Sequence, residues 1–136
     1  PAQPVTVVTH KKPCYDADDM KVSLRGDRLV NIGKKLAADR VDAESIGMIL
    51  FREKGPLMFR RAVDKALQDP SATKKWYLSV IAGMAQSMPV WTICANGLQW
   101  CEVDFPADLK QAQRVVRSFS EGDHLDGYRQ KKYAWG

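Results

Sequence analysis

The sequence has few cysteines and lacks the glycine motifs that mark the commonest nucleotide-binding loops. Its three cysteines, Cys14, Cys94 and Cys101, are odd in number and fit no metal-binding spacing. This pattern favours reduced thiols in a cytosolic protein. The nine glycines include neither G-x-G nor G-x-x-x-x-G-K, so the chain carries neither a Rossmann dinucleotide loop nor a P-loop.

Long apolar runs and a signal sequence are also missing. No stretch approaches the roughly 20 residues of a membrane-spanning helix, and no leader is visible, so we expect no membrane contact and a cytoplasmic location. The formal net charge of +5 suits an anionic small molecule as well as nucleic acid, and a solvated basic surface would also explain it. Because basic residues are not interleaved with aromatic ones on one face, nucleic acid is not an expected partner.

Hydrophobic periodicity predicts an α/β chain. Turn signals at Gly26-Asp27 and Asn96-Gly97 indicate two hairpins. The remaining polar and aromatic residues, 120–136, are predicted to form a surface tail or a partner-binding arm after a domain over residues 1–119. The predicted elements are, in chain order, strand 4–9, hairpin 20–32, strand 46–51, helices 57–67 and 72–86, strands 90–95 and 98–103, and helix 106–119.

Asp104 is the sharpest candidate for a functional residue, because it lies between a predicted strand and Pro106. Carboxylates at the carboxyl end of a strand lie where α/β proteins bind ligands. Mg²⁺ takes one or two protein carboxylates and completes its shell with substrate phosphates. The alternative is that Asp104 only caps the helix predicted to begin at Pro106.

Two further polar clusters are candidates of lower specificity. Lys34 and Lys35 follow the predicted hairpin, and lysine suits a single phosphate group, although a lysine pair in a loop is more often simply solvated. Asp16, Asp18 and Asp19 form an acidic cluster that could hold a metal or a substrate ammonium, although such residues more commonly make a turn.

Tryptophan and histidine residues are interpreted conservatively. Trp76, Trp91 and Trp100 lie at predicted strand and helix positions, where core packing is more common than ligand binding. His10 and His124 have no partner at metal-ligand spacing and are interpreted as structural or surface residues.

Four segments, read in order, resemble one family. Together they resemble the carboxyl-terminal half of small nucleotidyltransferases of the MobA-like class, over residues 4–117. Within that class they are similar to the choline-phosphate and phosphonate (2-aminoethylphosphonate) cytidylyltransferases. The resemblance implies a three-layer mixed sheet with helices on both faces, part of a Rossmann-like, nucleotide-diphospho-sugar-transferase-like fold. The segments are DDMKVSLRGDRLVNIGKKL (18–36), AESIGMILF (43–51), WYLSVIAGM (76–84) and GLQWCEVDFPADL (97–109).

The resemblance also implies a reaction. A phosphate or phosphonate oxygen of a small acceptor would attack the α-phosphorus of a nucleoside triphosphate, expected to be CTP, and pyrophosphate would leave. Asp104 would bind Mg²⁺ together with an aspartate from the amino-terminal half of the family fold. Lys34 would be the catalytic lysine that holds the acceptor's phosphate.

The same resemblance implies an acceptor pocket. Glu44 would face the acceptor's ammonium or hydroxyl end, and Gly47 would let the acceptor approach the backbone closely. Asp18 and Asp19 are the further expected substrate-binding residues, since a primary amine favours carboxylates. A choline group would instead favour an aromatic cage, and the sequence does not decide between these acceptors.

The chain departs from the family in one respect. The family's glycine-rich nucleotide loop is absent, so we expect a second polypeptide segment to carry the amino-terminal half. The alternative function is a non-catalytic binding or assembly module derived from the same fold, which the missing loop and the aromatic, basic tail both favour.

Overall fold

The computed structural model describes residues 3–121, and the chain divides after Asn96 into two compact units. In the first unit, short 3₁₀ turns at Ala38–Arg40 and Pro70–Lys74 separate some of the elements. The second unit contains helix α3, Asp108–Glu121. The elements of the first unit are β1 Val5–His10, β2 Lys21–Arg25, β3 Arg28–Gly33, β4 Ala43–Phe51, α1 Gly55–Ala66, α2 Tyr77–Ser87 and β5 Trp91–Cys94.

The five strands of the first unit form a closed, mixed barrel in the order β1-β4-β2-β3-β5. β1 and β5 are parallel, whereas the other four pairings are antiparallel. The barrel closes between β3 and β5 through one residue pair, Arg28 with Trp91. Backbone hydrogen bonds from Leu29 N–H to the Val90 carbonyl (2.9 Å) and from Thr92 N–H to the Asp27 carbonyl (2.8 Å) flank this pair.

The expected three-layer, Rossmann-like sheet with helices on both faces is therefore wrong. A doubly wound sheet needs repeated strand–helix–strand crossovers, which make neighbouring strands parallel. Here helices α1 and α2 both belong to a single crossover, from β4 to β5. The remaining strands pair antiparallel, and the sheet closes on itself, so it does not offer two open faces.

The predicted hairpin over residues 20–32 is confirmed. Gly26 has a φ of +60°, which a glycine adopts without strain at the first position of a two-residue turn. Strand β4 is also confirmed, but it begins at Ala43 and so includes Glu44. Val8 of β1 lies opposite an irregularity in β4, since Val7 pairs with Ile49 and Thr9 pairs with Ser45.

Both predicted helices of the first unit are present, and α2 supplies part of the core. α2 begins at Tyr77 rather than at residue 72, because Pro70–Lys74 form a 3₁₀ turn that the Asp69 carboxylate caps at the Ser71 N–H. The buried core cluster combines side chains of the barrel and of α2, namely Val5, Val7, Val22, Leu29, Ile32, Ala43, Leu78, Ile81, Met84 and Val90.

In the second unit, the prediction of a strand over residues 98–103 is wrong, because these residues have no regular secondary structure. A strand returning from the Asn96-Gly97 turn would pair with β5, but β5 is only four residues long, is paired with β1 along one edge and meets β3 at Trp91 on the other. Helix α3 begins at Asp108 rather than at Pro106. The Asp108 carboxylate accepts the N–H groups of Asp104 (3.2 Å) and Phe105 (2.9 Å), which holds the chain in a turn before the helix.

The predicted tail, the predicted domain boundary and the expected lack of membrane contact concern the end of the chain and its surroundings. Most of the predicted tail over residues 120–136 lies outside the described residues, and the domain boundary at residue 119 stays a prediction. No helix among residues 3–121 is both long enough and apolar enough to cross a bilayer.

Candidate functional site

Five of the six predicted site residues lie in the first unit, and all of these except Gly47 lie beside the end of the β2–β3 hairpin that is opposite its turn. Lys21, the first residue of β2, pairs with Gly33 of β3 and with Glu44 of β4. The loop that carries Asp18 and Asp19 leads into β2, and Lys34 directly follows β3. Antiparallel pairing therefore gathers residues that are up to 26 positions apart, from Asp18 to Glu44, at one end of the barrel.

Lys12 is the centre of an ion-pair network at this end. Its Nζ lies 2.8 Å from Asp19 Oδ2 and 2.8 Å from Glu44 Oε2. The other Glu44 oxygen, Oε1, lies 3.1 Å from Nδ1 of His10. The Glu44 and Asp19 side chains are only 10% and 16% exposed, so Lys12 compensates two carboxylates that have lost most of their water.

Burial and ion pairing act in opposite directions on the pKa values of this network. Burial lowers the pKa of Lys12, but the hydrogen bonds and charges of Asp19 and Glu44 outweigh burial and raise it well above its ordinary value. For the Asp19 carboxylate, burial raises the pKa, because it disfavours the charged form, but the Lys12 ammonium and the Asp16 backbone hold the pKa below its ordinary value. Both shifts favour the charged forms, so the contact between Lys12 and Asp19 stabilises the fold while both groups are ionised.

These two shifts predict how stability depends on pH. A lowered carboxylate pKa contributes stability above about pH 4 that is lost as pH falls, and a raised lysine pKa contributes stability below about pH 10.5 that is lost as pH rises. We therefore expect the urea midpoint to be nearly constant between these limits and to fall outside them. Asp19→Asn should reduce the loss between pH 7 and pH 3.

Asp69 is the matched control for this experiment. Its pKa is lowered to about 2, by the Lys75 ammonium first and then by Ser71, but the carboxylate is at the surface, where such pairs contribute little. Asp69→Asn should leave the acid branch almost unchanged. Equal effects of the two substitutions on the acid branch would contradict a special role for the Lys12 network.

Lys21 joins the two loops that carry the predicted residues. This lysine is 8% exposed. Its Nζ donates to the carbonyl of Asp16 and, at 3.2 Å, to the carbonyl of Lys34. The buried ammonium thus fixes the backbone on both sides of the hairpin end, which holds Asp18 and Lys34 within reach of each other.

Lys34 and Asp18, predicted as a phosphate-binding lysine and a substrate-binding carboxylate, form a direct contact. Lys34 Nζ donates to Asp18 Oδ1 at 3.2 Å, and the same Nζ lies 5.1 Å from the centre of the Trp76 ring. The Lys34 side chain is 37% exposed and that of Asp18 is 99% exposed. A solvated pair of this kind is weak, so an incoming anion or cation can exchange for one of its members.

Gly47 lies at the irregularity in β4, with a φ of +76°. Its carbonyl accepts the hydroxyl of Tyr77, the first residue of α2, at 2.9 Å. Glycine inside a strand is typical of such a bulge or of close backbone approach. Trp76 and Tyr77 therefore bring Lys34, Asp18 and Gly47 to the start of α2.

Asp104, the predicted metal ligand, belongs to the second unit, and its side chain is exposed. Among residues 3–121, no group of three or more His, Cys, Asp or Glu side chains is placed to hold a metal ion. Magnesium needs only one or two protein carboxylates when phosphates supply the other ligands. An exposed Asp104 fits one ligand of such a site, and both Asp104 and Mg²⁺ stay predictions.

Two residues of the candidate site were missed by sequence reasoning. Lys12 follows strand β1 in a loop of mixed charge, and no local pattern distinguishes it from its neighbour Lys11. Trp76 was expected in the core but is 65% exposed. No signal in the sequence indicated this, because the helix predicted over residues 72–86 included Trp76, whereas α2 begins at Tyr77 and leaves Trp76 outside the helix's buried face. The substrate-binding roles of Asp18, Asp19, Glu44 and Gly47 stay predictions.

Comparison with known proteins identifies a similar fold. No protein-family model matches this chain, and no curated protein does. The chain's fold is similar to part of the structure of the inositol-1-phosphate CTP transferase from T. maritima, with a TM-score of 0.62 and 21% sequence identity. The match covers 88% of this chain and 46% of the transferase, so the chain spans less than half of that structure. At this identity, the likeness shows a shared fold alone.

Proposed function

We propose that this chain is the acceptor-binding portion of a nucleotidyltransferase, specifically a cytidylyltransferase acting on a small phosphorylated or phosphonate acceptor. The observation that carries the proposal is the Lys34–Asp18–Trp76 cluster, placed at one end of a fold that resembles part of a CTP transferase. A mobile ammonium, a solvated carboxylate and an exposed aromatic ring can together recognise a small molecule with a phosphate at one end and a polar or cationic group at the other.

In this reaction, an oxygen of the acceptor's phosphate or phosphonate forms a bond to the α-phosphorus of CTP. The bond from that phosphorus to the oxygen bridging to the β-phosphorus breaks, and pyrophosphate leaves. Lys34 would hold the acceptor's anionic group and orient its attacking oxygen, which is the main contribution a protein makes to phosphoryl transfer. Asp18 would exchange its contact with Lys34 for one with the acceptor's other end.

The ion-pair network around Lys12 would support the Lys34–Asp18–Trp76 cluster without contacting the acceptor. Glu44 and Asp19 are engaged with Lys12, and Asp19 follows Asp18 directly in the chain. The ion pairs therefore support the loop that presents Asp18. Tyr77, bonded to the Gly47 carbonyl, holds the start of α2 against the bulge of β4 and keeps the neighbouring Trp76 beside Lys34.

Nucleotide and metal binding complete the proposal. Asp104 would supply one ligand to Mg²⁺, and bound Mg²⁺ would neutralise charge on the phosphate oxygens. Because the sequence has no glycine-rich phosphate loop, we propose that a second polypeptide segment, equivalent to the other half of the family fold, binds CTP.

The proposal is tested by titrating the 136-residue protein with inositol 1-phosphate, phosphocholine and 2-aminoethylphosphonate. NMR or calorimetry measures the affinity for each acceptor. Since a hydrogen bond to a charged group contributes about 1.5–3 kcal/mol, Lys34→Gln should weaken binding of the preferred acceptor by about tenfold or more. Lys35→Gln is the matched control, because it removes the same charge from the next residue, which is exposed.

Equal losses in Lys34→Gln and Lys35→Gln would contradict a specific phosphate site and would indicate a general charge effect. Failure of all three acceptors to bind would favour the alternative, a non-catalytic binding or assembly module. Pyrophosphate release from CTP should require the protein together with the segment that binds CTP, and it should be lost in Asp104→Asn.

A further inference from the structure

We propose that the closed end of the β2–β3 hairpin forms a second anion site, built on Arg25 and Arg28, which binds a phosphorylated small molecule with an apolar group. This site goes beyond the proposed function, because it uses none of the residues assigned to acceptor, metal or nucleotide.

The two arginines lie directly opposite each other. Arg25 ends β2, Arg28 begins β3, and the two are register partners across the Gly26-Asp27 turn. Both side chains are exposed. Like charges at opposed positions of an antiparallel pair destabilise it. Among residues 3–121, neither arginine forms an ion pair with a carboxylate. An anion bound between them would remove the repulsion.

The nearby carboxylates do not serve this purpose. Asp27 lies in the turn between the arginines, but it is not within ion-pair distance of either one and does not line the adjoining pocket. The Asp42 carboxylate accepts the N–H of Leu24 at 2.7 Å. The arginine pair is therefore uncompensated within the described part of the chain.

Arg25 and Arg28 border a pocket of about 370 Å³ between the hairpin tip and the end of α2. No acidic residue lines it. Gln86 adds a polar group, and its amide nitrogen donates to the Val30 carbonyl at 2.9 Å, so its amide oxygen is oriented by that bond. The remaining lining residues are apolar, namely Leu29, Val30, Ala85, Met88, Pro89 and Val90.

Arg28 is partly preorganised. Its guanidinium carbon lies 5.1 Å from the centre of the Trp91 ring, and Trp91 is its register partner at the closure of the barrel. Stacking on an aromatic ring restricts the guanidinium while leaving its N–H groups free to donate. A guanidinium held in this way loses less conformational entropy when it binds a phosphate.

The mixture of charge and apolar surface selects the ligand class. Two guanidiniums match the two negative charges and the oxygens of a phosphomonoester, which they can bind through paired hydrogen bonds. Leu29 and Val90 are buried, but Val30, Ala85, Met88 and Pro89 retain exposed surface that suits an organic group attached to that phosphate. A bounded pocket with two cations also differs from the long basic surface that a nucleic acid contacts.

This site is separate from the Lys34 cluster. Lys21 and Gly33 form one end of the hairpin, and Arg25 and Arg28 form the other end. Strands rise about 3.3 Å per residue, so the two ends are roughly 13 Å apart. A ligand on the arginine pair therefore does not compete directly with an acceptor held by Lys34.

The test is to titrate the 136-residue protein at low ionic strength with phenyl phosphate and, separately, with inorganic phosphate. Binding is monitored through the amide NMR signals of Leu29 and Trp91. Phenyl phosphate should bind more tightly than inorganic phosphate. Arg25→Gln and Arg28→Gln should each weaken binding by about tenfold or more. Arg61→Gln is the matched control, an exposed arginine on α1, and it should not change the affinity. Lys34→Gln should not change it either, so the two sites can fail independently.

A charge reversal separates loss of the site from loss of the fold. Arg25→Glu should pair with Arg28, raise the melting temperature in phosphate-free buffer and abolish the stabilisation by phosphate. The proposal is overturned if Arg61→Gln weakens binding as much as Arg25→Gln does, or if neither arginine of the pair affects it. It is also overturned if a short oligonucleotide binds more tightly than phenyl phosphate with the same dependence on Arg25, which would assign the pair to a polyanion.

Discussion

Gly55→Ala is expected to lower the free energy of unfolding by about 3 kcal/mol or more, which is a large share of the 5–15 kcal/mol typical of a domain. A Cβ at position 55 would lie 1.9 Å from the carbonyl oxygen of Pro4 and 2.8 Å from its carbonyl carbon. Gly55 is buried and is the first residue of α1, so the added methyl group has no route to solvent.

The obstacle is backbone, which cannot rotate away as a side chain could. The Pro4 carbonyl accepts the N–H of Arg52 at 3.0 Å, and the Gly55 N–H donates to the Arg52 carbonyl at 2.7 Å. Val5, which follows Pro4, pairs with Phe51. Relief of the clash would therefore require the start of β1 to separate from the connection between β4 and α1.

Gly83→Ala is the control, because it is the same chemical change with the opposite expected sign. Gly83 lies inside α2, and an added Cβ would meet no atom within 4 Å. Alanine there should stabilise the protein by about 0.5–1 kcal/mol. Urea denaturation of both variants measures the difference. A Gly55→Ala protein as stable as the wild type would show that the close approach to Pro4 is not maintained in solution.

Lys12→Met is expected to lower the free energy of unfolding by about 2–3 kcal/mol, somewhat less than the loss from a fully buried ion pair because Lys12 retains some contact with water. Its side chain is 26% exposed. Methionine preserves much of the aliphatic volume but leaves Asp19 and Glu44 without their ammonium, in a place where both are largely desolvated.

A double-mutant cycle with Glu44→Gln separates the ion pair from general damage. The coupling between Lys12 and Glu44 should be about 1 kcal/mol or more, and the double variant should be more stable than the sum of the single losses predicts. Lys75→Met removes a lysine from the exposed pair with Asp69, at 2.7 Å, and should leave the stability nearly unchanged. Strict additivity in the cycle would argue against the network.

Local signals in the sequence were sufficient for elements whose partners are close in the chain. The hairpin around Gly26 has its turn residues, its alternation and its partner strand within 13 consecutive residues, 21–33. The helices α1 and α2 were recognisable from periodicity and from Pro70 and Pro89 after their ends. In each case the residues that determine the element lie inside it or beside it.

Pairing between distant segments could not be predicted in the same way. The run 98–103 alternates as a strand does, but a strand also needs a partner, and the short β5 is paired with β1 along one edge and meets β3 at Trp91 on the other. Closure of the barrel depends on Arg28 meeting Trp91, and neither residue carries a pattern that indicates the other. The expected Rossmann-like fold was wrong for this reason.

The candidate site shows the same division. Asp18 and Lys34 were each identified by residue type and position. Their contact depends on the buried Lys21, whose ammonium donates hydrogen bonds to the backbone of both loops. Glu44 was expected to face an acceptor, and its bonds to His10 and Lys12 depend on pairing of β4 with β1. Trp76 could not be placed because amphipathic patterns describe residues within a helix and not the one before it.

The position of β1 between β4 and β5 has a consequence for the protein's synthesis on the ribosome. One edge of β1 can pair once β4 has been made, but the other edge waits for β5, since Thr6 pairs with Trp91. At ~5–20 residues per second, that edge is open for on the order of seconds. The run VTVVT is uncharged, β-branched and free of proline, which is the kind of segment that joins other chains into aggregates. Lys11 and Lys12 follow this run after His10, which is where charged gatekeeper residues commonly lie beside such segments, so we expect Lys12 to oppose aggregation of the nascent chain as well as to stabilise the folded one.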